Sequence, residues 1–253
     1  MDLKTLRSTW NAFGERDPMW AILTDAEKRG GRWNREEFFA TGRAQVQALL
    51  TELATLGVPL AFRRALDVGC GIGRVTQALA ALYDEVEGVD IAPSMIQRAE
   101  AENGVASSRV RYRVVEGTNL SHIPDDTIDL VWSFIVLQHM PRAFAFSYVR
   151  EFVRVLSPEG VAVFQLPNRP ATARAWIRHL LQRLPHELWQ RLRAFRHGGR
   201  ESLDMAMYTV SPRTVRRLVR DAGGRIVREA PHPTPSYPGT TYYVQAVRGS
   251  RRD

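Results

Sequence analysis

The chain of 253 residues is 44% hydrophobic and 25% charged, which allows one or two domains with a sizeable core and excludes disordered and collagen-like classes. Its single cysteine excludes an internal disulfide and a cysteine-based zinc cluster, and fits a reducing compartment. The net charge of +8 is compatible with nucleic acid, an anionic membrane or an acidic substrate, but 33 of the 35 cations are arginine, so genome composition would also explain it.

Residues 1–60 are predicted to form an N-terminal helical cap. The first residues lack the apolar core of a secretory signal, and no apolar run approaches the roughly 18 residues of a membrane-spanning helix, so we expect a cytoplasmic protein. Asn34 is suited to cap a helix whose apolar side chains recur at helical spacing until Gly57 ends the run.

Residues 61–253 are predicted to form the main domain. Short apolar runs at 65–68, 87–90, 111–115, 130–133 and 161–166 alternate with helical patterns at 73–83, 93–101 and 144–156. Strands alternating with helices predict an α/β fold with a parallel, doubly wound sheet, since parallel neighbours need crossover connections.

A basic helical insertion is predicted at 170–205, before the last helix and strands. Residues 1–168 carry 18 basic and 21 acidic side chains, whereas residues 169–253 carry 17 basic and 6 acidic ones. Apolar residues interleaved with arginine predict two short amphipathic helices here. They could cover a substrate, form an interface, or contact a membrane surface through 174–200. A helix capped by Ser211 and strands at 225–229 and 241–247 follow.

The strongest motif is a glycine-rich turn between the first strand and the next helix. Its glycines, Gly69, Gly71 and Gly73, allow positive φ and let a ligand approach the backbone. Such a turn lies at the carboxyl ends of the strands, where doubly wound sheets bind ligands. Asp90 ends the second strand, 17 residues after Gly73, where its carboxylate can accept both ribose hydroxyls of a nucleoside.

The glycine spacing and a nearby carboxylate distinguish between two nucleotides. The dinucleotide fingerprint is G-x-G-x-x-G with a pyrophosphate at the helix N-terminus, but this chain has G-x-G-x-G with Asp67 two residues earlier. A carboxylate would repel a pyrophosphate and attract the ammonium group of a methionine moiety. The pattern therefore favours S-adenosylmethionine (SAM) over NAD.

The region from about 63 to 168 resembles class I, seven-stranded SAM-dependent methyltransferases of the small-molecule type found in ubiquinone and menaquinone biosynthesis. Leu66-Asp-Val-Gly-Cys-Gly-Ile-Gly73, Gly88-Val-Asp-Ile-Ala-Pro-Ser-Met95, Pro124-Asp-Asp-Thr-Ile-Asp-Leu-Val-Trp-Ser133 and Val155-Leu-Ser-Pro-Glu-Gly160 carry the likeness. The resemblance implies a seven-stranded sheet with an antiparallel last strand. It also implies cofactor contacts by the loop around Cys70, by Asp90, and by Ile91 and Met95 beside the adenine.

The segment after the third strand departs from the family pattern. Relatives often have Gly-Asp there, with a carboxylate that accepts from the adenine amino group, whereas this chain has Val115-Glu-Gly-Thr-Asn-Leu120. Thr118 or Asn119 could accept instead, with the Leu120 amide as a donor, and Glu116 could also reach. Of these we favour Asn119.

The segment after the fourth strand supplies the candidate catalytic group. In the resembled fold Ser133, Phe134 and Ile135 lie along the methyl donor, and His139 follows. An imidazole there could remove a proton from a hydroxyl acceptor, although His139 could equally serve only to order the loop. No cluster of His, Asp or Glu has metal-ligand spacing, so no metal is expected. Glu151 is interpreted as a solvated helix residue.

The cap offers a second set of candidates. Trp33, Phe38 and Phe39 could shield a nucleoside pocket or pack as ordinary core, and Arg35 or Arg43 could meet the methionine carboxylate.

The sequence thus predicts methyl transfer from SAM to a small molecule, with oxygen preferred to nitrogen or carbon as the acceptor atom. A nucleic-acid methyltransferase using the basic C-terminal third, a membrane-associated enzyme with a lipid-linked acceptor, and a binding module without activity are the alternatives. Nucleic acid is disfavoured because an (Asp/Asn)-Pro-Pro-aromatic motif is missing after strand four. A monomer or a homodimer is expected.

Overall fold

The structure, a computed structural model, describes residues 1–103, 108–181 and 205–247. Within these ranges the helices are α1 (Leu3–Arg16), α2 (Pro18–Ile22), α3 (Arg35–Thr55), α4 (Arg74–Leu79), α5 (Pro93–Glu102), α6 (Arg142–Val155), α7 (Ala173–Leu181) and α8 (Pro212–Asp221), with a 3-10 turn at Leu137–His139. The strands are β1 (Arg64–Val68), β2 (Glu85–Asp90), β3 (Val110–Val114), β4 (Ile128–Ser133), β5 (Leu156–Pro167), β6 (Gly224–His232) and β7 (Gly239–Ala246).

Side-chain caps fix the start of two helices. The Asn34 side chain accepts from the amide of Glu37 at 3.1 Å, and the Ser211 hydroxyl accepts from the amide of Thr214 at 3.2 Å. Each satisfies a backbone donor that the first helical turn leaves without a partner. Both caps confirm the helix starts predicted from the sequence.

The seven strands form one sheet in the order β3-β2-β1-β4-β5-β7-β6. β1 to β5 are mutually parallel where they pair, and β7 runs antiparallel to both of its neighbours. The predicted α/β class, the seven strands and the reversed last strand are therefore confirmed. The order changes direction between β1 and β4, which opens a crevice at the carboxyl ends of these strands.

The core lies on both faces of the sheet. Alternate residues of β5 divide between them: Ala162 and Phe164 face α6 and α8, whereas Val161 and Val163 face α3 and α4. Because both faces are covered, the parallel strands are almost continuously apolar, which is why they could be located from the sequence.

The cap is hydrogen-bonded to the first turn of α5 and packs against the glycine-rich turn after β1. The Asn11 side chain in α1 accepts from the amide of Ser94 at 2.9 Å, and the Ser94 hydroxyl donates to the Asn11 carbonyl at 2.8 Å. A third apolar cluster joins Phe13, Phe38 and Phe39 to Ile72 in the glycine loop. The cap thus closes over this loop, although the division of the chain at residue 60 stays a prediction.

Most of the predicted insertion lies outside the described residues. Of 170–205, the structure describes 170–181 and 205, and this part contains α7. In the described ranges, no helix combines the length and the apolar character needed to cross a bilayer.

Candidate active site

A pocket lies where β1, β2 and β4 end. Residues from the cap, the strand ends, the loop after β3 and α6 line it: Leu3, Leu6, Trp10, Ala21, Ile22, Val68, Gly69, Gly71, Val89, Asp90, Ile91, Met95, Val115, Gly117, Thr118, Phe134, Ile135, Val136, His139, Met140, Phe144 and Tyr148.

The glycine loop forms the floor of this pocket at the end of β1. The amides of Gly69 and Cys70 both donate to the Val89 carbonyl, at 2.8 and 3.0 Å, and so hold the loop against β2. Gly71 has φ +55°, and a Cβ added there would lie 2.5 Å from Cδ1 of Ile22. Only glycine fits this left-handed position under the cap, and its lack of a side chain leaves a cradle against the backbone.

Asp90 ties the glycine loop to the β2–α5 turn. One carboxylate oxygen accepts from the amide of Gly71 at 3.0 Å and the other from the amide of Ala92 at 2.9 Å. Each oxygen has a second lone pair, and Asp90 lines the pocket. Burial raises the pKa of Asp90 above its ordinary value, while the backbone amides oppose that rise. The arrangement can accept two hydroxyl groups of a ribose.

Asp67 lies behind the glycine loop rather than in the pocket. It is buried, and its carboxylate accepts from the Thr76 hydroxyl at 2.7 Å. Burial raises the pKa of Asp67 to about 6, against the effects of the Thr76 hydrogen bond and the charge of Arg74. Asp67 therefore fixes the start of α4 beneath the loop, and the geometry does not favour direct contact with a methionine ammonium group.

The segment after β3 differs from the expected arrangement. Thr118 lines the pocket, whereas Asn119 is exposed and its side-chain oxygen accepts from the Ser121 amide at 3.3 Å. The Leu120 amide, expected to be a donor to the adenine, donates instead to Glu151 at 2.7 Å. Glu151 is not a solvated residue, because its carboxylate accepts from the Leu120 amide and from the Arg154 guanidinium.

The residues after β4 combine burial with backbone strain. Ser133 is fully buried and its hydroxyl has no hydrogen-bond partner, whereas Phe134 and Ile135 line the pocket. Ile135 has φ +63°, a left-handed conformation that β-branched residues rarely adopt. Such strain is characteristic of functional sites, and here it turns the chain abruptly from β4 into the wall of the pocket.

His139 is buried and its imidazole lines the pocket. Nδ1 lies 2.9 Å from the Ala206 carbonyl, and Nε2 lies 3.1 Å from the side-chain nitrogen of Gln138. A carbonyl can only accept and an amide nitrogen can only donate, so the proton is on Nδ1 and Nε2 is an acceptor. The edge of the ring faces the indole of Trp10, with centroids 5.2 Å apart.

The cap contributes to the pocket through residues other than those predicted. α1 supplies Leu3, Leu6 and Trp10, whose helical spacing places them on one side of the helix. The predicted candidates Trp33, Phe38 and Phe39 belong instead to the apolar cluster under the cap.

The prediction that a cap arginine meets a methionine carboxylate is not supported. Arg35 pairs with Glu102 and Arg43 with Glu36, and neither arginine lines the pocket. The one-turn spacing of Leu3, Leu6, Trp10 and Phe13 was the available signal for α1, but a core helix would show the same spacing.

The structure thus brings together eight of the predicted site residues with His139 and separates six. Those lining the pocket are Gly69, Gly71, Asp90, Ile91, Met95, Thr118, Phe134 and Ile135. Those outside its lining are Asp67, Cys70, Gly73, Asn119, Leu120 and Ser133. Within the described ranges, no three His, Cys, Asp or Glu side chains are grouped as metal ligands.

Known proteins resemble this chain mainly in its central region. Residues 66–164 match a family model described as a methyltransferase domain. The ubiquinone biosynthesis O-methyltransferase of Xanthomonas campestris pv. campestris (strain B100) is 32% identical over 116 residues, which cover 46% of this chain and 48% of that protein. The 2-methyl-6-phytyl-1,4-hydroquinone methyltransferase of Synechocystis is 32% identical over 139 residues, covering 51% and 42% of the two chains.

Solved structures resemble the chain over a greater length. The magnesium protoporphyrin IX methyltransferase of Synechocystis, with bound S-adenosylhomocysteine, has a TM-score of 0.63 and 17% identity, covering 97% of this chain and all of that one. At this identity the likeness shows the fold. The chain spans only about half the length of the curated relatives it matches. Residues 66–164 therefore resemble a methyltransferase domain, and the chain shares its fold with the magnesium protoporphyrin IX methyltransferase.

Proposed function

We propose that the protein transfers a methyl group from SAM to a hydroxyl group of an apolar small molecule. SAM, when bound, supplies an electrophilic methyl group on a sulfonium. The observation that carries the proposal is the position of His139, an imidazole with an accepting Nε2 in the same pocket as Asp90 and the glycine loop. The protein must then align the acceptor, exclude water and remove the hydroxyl proton.

The residues present fit SAM. Asp90 has lone pairs for two ribose hydroxyls, and the cradle at Gly69 and Gly71 would hold the methionine portion against the backbone. Ile91 and Met95 would flank the adenine from the β2 side. Among the described lining residues there is no Lys or Arg to pair with a pyrophosphate, which would also lie close to the carboxylate of Asp90, and this supports SAM over NAD.

His139 is arranged as a proton acceptor. The Ala206 carbonyl holds the Nδ1 proton, so the basic lone pair is on Nε2, which faces the Gln138 amide. An acceptor hydroxyl would replace that amide as the donor to Nε2, and Nε2 would take its proton. Trp10 packs against the imidazole edge and limits the access of water.

The chemistry of the walls indicates the acceptor class. Leu3, Leu6, Val136, Met140 and Phe144 are apolar and come from both the cap and the segment after β4. The curated relatives are named for O-methylation in ubiquinone biosynthesis and for a hydroquinone substrate, which supports an apolar acceptor with a hydroxyl group. In the part of the chain that the structure describes, the pocket lining has no Lys or Arg for a phosphate backbone, so nucleic acid is not favoured.

Transfer of labelled methyl from SAM into a cell extract tests the proposal, with His139→Gln as the matched control. We expect label in an organic-extractable small molecule with the unmodified enzyme and strongly reduced labelling with the variant. Release of the label by hydriodic acid as methyl iodide would identify an O-methyl ether. Label in precipitated RNA, or methylation of nitrogen or carbon, would contradict the proposal.

We also propose that α7 contacts an anionic membrane surface, which would give access to a lipid-linked acceptor. Trp176, Ile177 and Leu180 are 47%, 55% and 55% exposed, while Ala175 on the same helix is buried. Between residues 170 and 200 the sequence has seven arginines and one glutamate. An exposed apolar side next to cationic residues is typical of helices that lie in a membrane interface.

Vesicle flotation tests this contact. Vesicles with an anionic phosphatidylglycerol fraction should bring the protein to the top, and neutral phosphatidylcholine vesicles should not. Changing Trp176 and Ile177 together to Ser should abolish flotation, whereas Leu82→Ser, at an exposed leucine elsewhere, should leave it unchanged. Equal binding by the α7 variant would contradict the proposal. A cytoplasmic location and a monomeric or homodimeric state stay predictions.

A further inference from the structure

We infer that the site reads the six-position edge of the purine through the hydroxyl of Thr118 rather than through a carboxylate, and therefore binds an inosyl base almost as well as an adenosyl base. This inference rests on the proposed function, because it concerns the nucleoside of the same cofactor. Its basis is the arrangement of polar groups in the loop after β3.

The purine lies beside this loop if the ribose is held by Asp90. β2 pairs with β3 so that Asp90 is opposite Val114, and the Val115 amide donates to the Asp90 carbonyl at 2.9 Å. The strand order is β3-β2-β1-β4, Asp90 ends β2, and His139 follows β4. The reacting end of the cofactor must therefore extend from Asp90 across β1 toward His139. The base must therefore extend toward Gly117 and Thr118, which line the same pocket.

The nearby carboxylates are held away from the base. The Glu116 side chain is 82% exposed and pairs with Arg7 at 3.2 Å. Glu151 accepts from the Leu120 amide at 2.7 Å and pairs with Arg154 at 2.8 Å, so its charge is already neutralised. Neither residue belongs to the pocket lining.

Among the described residues that line this end of the pocket, two carry neutral hydroxyl groups. Tyr148 donates to the Gly117 carbonyl at 3.1 Å, so its proton is committed to holding the loop. Thr118 is half-buried and lines the pocket, and its hydroxyl can rotate. Tyr148 therefore acts as a positioning residue, and Thr118 is the group that meets the edge of the base.

The difference between a hydroxyl and a carboxylate decides how the site treats position 6 of the purine. At N1 hypoxanthine carries a proton and adenine a lone pair, but the Leu120 amide that was expected to donate to the base is bound to Glu151 instead. Adenine has an amino group at position 6, which donates, and hypoxanthine has an oxo group there, which accepts. An ionised carboxylate only accepts, so it binds the amino group and repels the oxo group. A hydroxyl accepts from the first and donates to the second, so Thr118 should pair with either base.

Equilibrium binding of S-adenosyl-L-homocysteine and S-inosyl-L-homocysteine, measured by calorimetry without turnover, tests the inference. For the unmodified protein we expect dissociation constants within about fivefold of each other, which corresponds to a difference of one neutral hydrogen bond or less. Thr118→Asp should raise the preference for the adenosyl ligand to about 30-fold or more, because the new carboxylate gains the amino group and repels the oxo group.

Three variants complete the design. Thr118→Ser should keep the small ratio, and Thr118→Val should weaken both ligands by similar factors, because it removes the hydroxyl with little change of shape. Asn119→Asp places a carboxylate at the neighbouring exposed position and should leave the ratio unchanged within about twofold.

The outcomes separate the two proposals. A preference of the unmodified protein above about 30-fold, or a ratio that Thr118→Asp does not change, would overturn the inference while leaving SAM binding intact. Failure of the folded, unmodified protein to bind either ligand would overturn the proposed function as well.

Discussion

The Nδ1–H of His139 donates to the carbonyl of Ala206, which is 2.9 Å away and 67 residues further along the chain. Two neighbouring bonds join the same segments: the Tyr208 amide donates to the Gln138 carbonyl at 2.7 Å, and the Arg142 guanidinium donates to the Thr209 carbonyl at 2.8 Å. The stretch that follows the predicted insertion thus fixes the tautomer of the proposed base. A change in that stretch could alter catalysis without touching the cofactor.

Replacing His139 tests its role as a base. His139→Gln should lower kcat by about 100-fold or more, since general-base catalysis contributes on the order of 10²–10⁴. The dissociation constant of S-adenosylhomocysteine should change by less than about threefold. An unchanged kcat would leave His139 with only a structural role.

Asp90→Ala should weaken S-adenosylhomocysteine binding by about 30-fold or more. It removes the ribose acceptor and also leaves the amides of Gly71 and Ala92 without their partner. Calorimetry measures the dissociation constant, and Asp84→Ala, at an exposed position on the amino-terminal side of β2, is the matched control with an expected change below twofold. Near-normal binding by Asp90→Ala would refute this ribose assignment.

Gly71→Ala tests the contact between the cap and the glycine loop. The alanine must adopt φ +55°, and its methyl group would lie 2.5 Å from Cδ1 of Ile22. We therefore expect the free energy of unfolding to fall by about 2 kcal/mol or more. Gly30→Ala is the control, because Gly30 has φ +83° but no atom within 4 Å of the added Cβ, and it should cost only about 1 kcal/mol.

The same contact can be isolated by a double-mutant cycle in urea unfolding. In Gly71→Ala with Ile22→Ala the two losses should be less than additive by about 1 kcal/mol, because the shortened side chain relieves the collision. Full additivity would show that Ile22 does not cover the loop.

Asp67 should make stability depend on pH. Burial raises the pKa of its carboxyl group to about 6 in the folded protein, above the ordinary aspartate value of 3.8. The folded state therefore holds more protons between these values, so the free energy of unfolding should fall as the pH rises from about 4 to 6, by a contribution of about 3 kcal/mol.

The Asp67→Asn variant isolates that contribution. Its amide oxygen can still accept from the Thr76 hydroxyl but cannot ionise, so the fall between pH 4 and 6 should be smaller than in the unmodified protein. Urea unfolding at several pH values measures it. Parallel curves for the two proteins would mean that Asp67 is ionised in the folded state at no cost.

Trp10→Ala should affect both stability and catalysis. Trp10 packs against Phe13 and His139, with ring centroids 5.4 and 5.2 Å apart. Losing these contacts should lower the free energy of unfolding by about 2 kcal/mol. It should also lower kcat by about tenfold, because the imidazole of His139 would no longer be held by packing against Trp10. Trp20→Ala, in the cap but outside the pocket lining, should lower stability alone. If Trp10→Ala and Trp20→Ala had the same kcat, Trp10 would have no specific role in catalysis.

The sequence by itself determined the parallel strands of the sheet and the end of the sheet at which the pocket lies. Apolar runs such as 65–68 and 161–166 are nearly continuous because both faces of a parallel strand are buried, and this pattern is local. The positions of Gly69, Gly71 and Asp90 could also be predicted, since the two glycines lie in the turn after β1, Asp90 is the last residue of β2, and the carboxyl ends of neighbouring strands meet at one edge.

Only the tertiary structure decided which polar groups face the pocket and which group orients the imidazole of His139. Asn119 and Thr118 are adjacent and chemically similar, and the choice between them depends on how the loop after β3 packs against Tyr148 and Glu151. Ala206 offers only a backbone carbonyl, which every residue has, so no side-chain pattern could reveal its bond to His139. Contacts between distant segments depend on packing, which local periodicity does not encode.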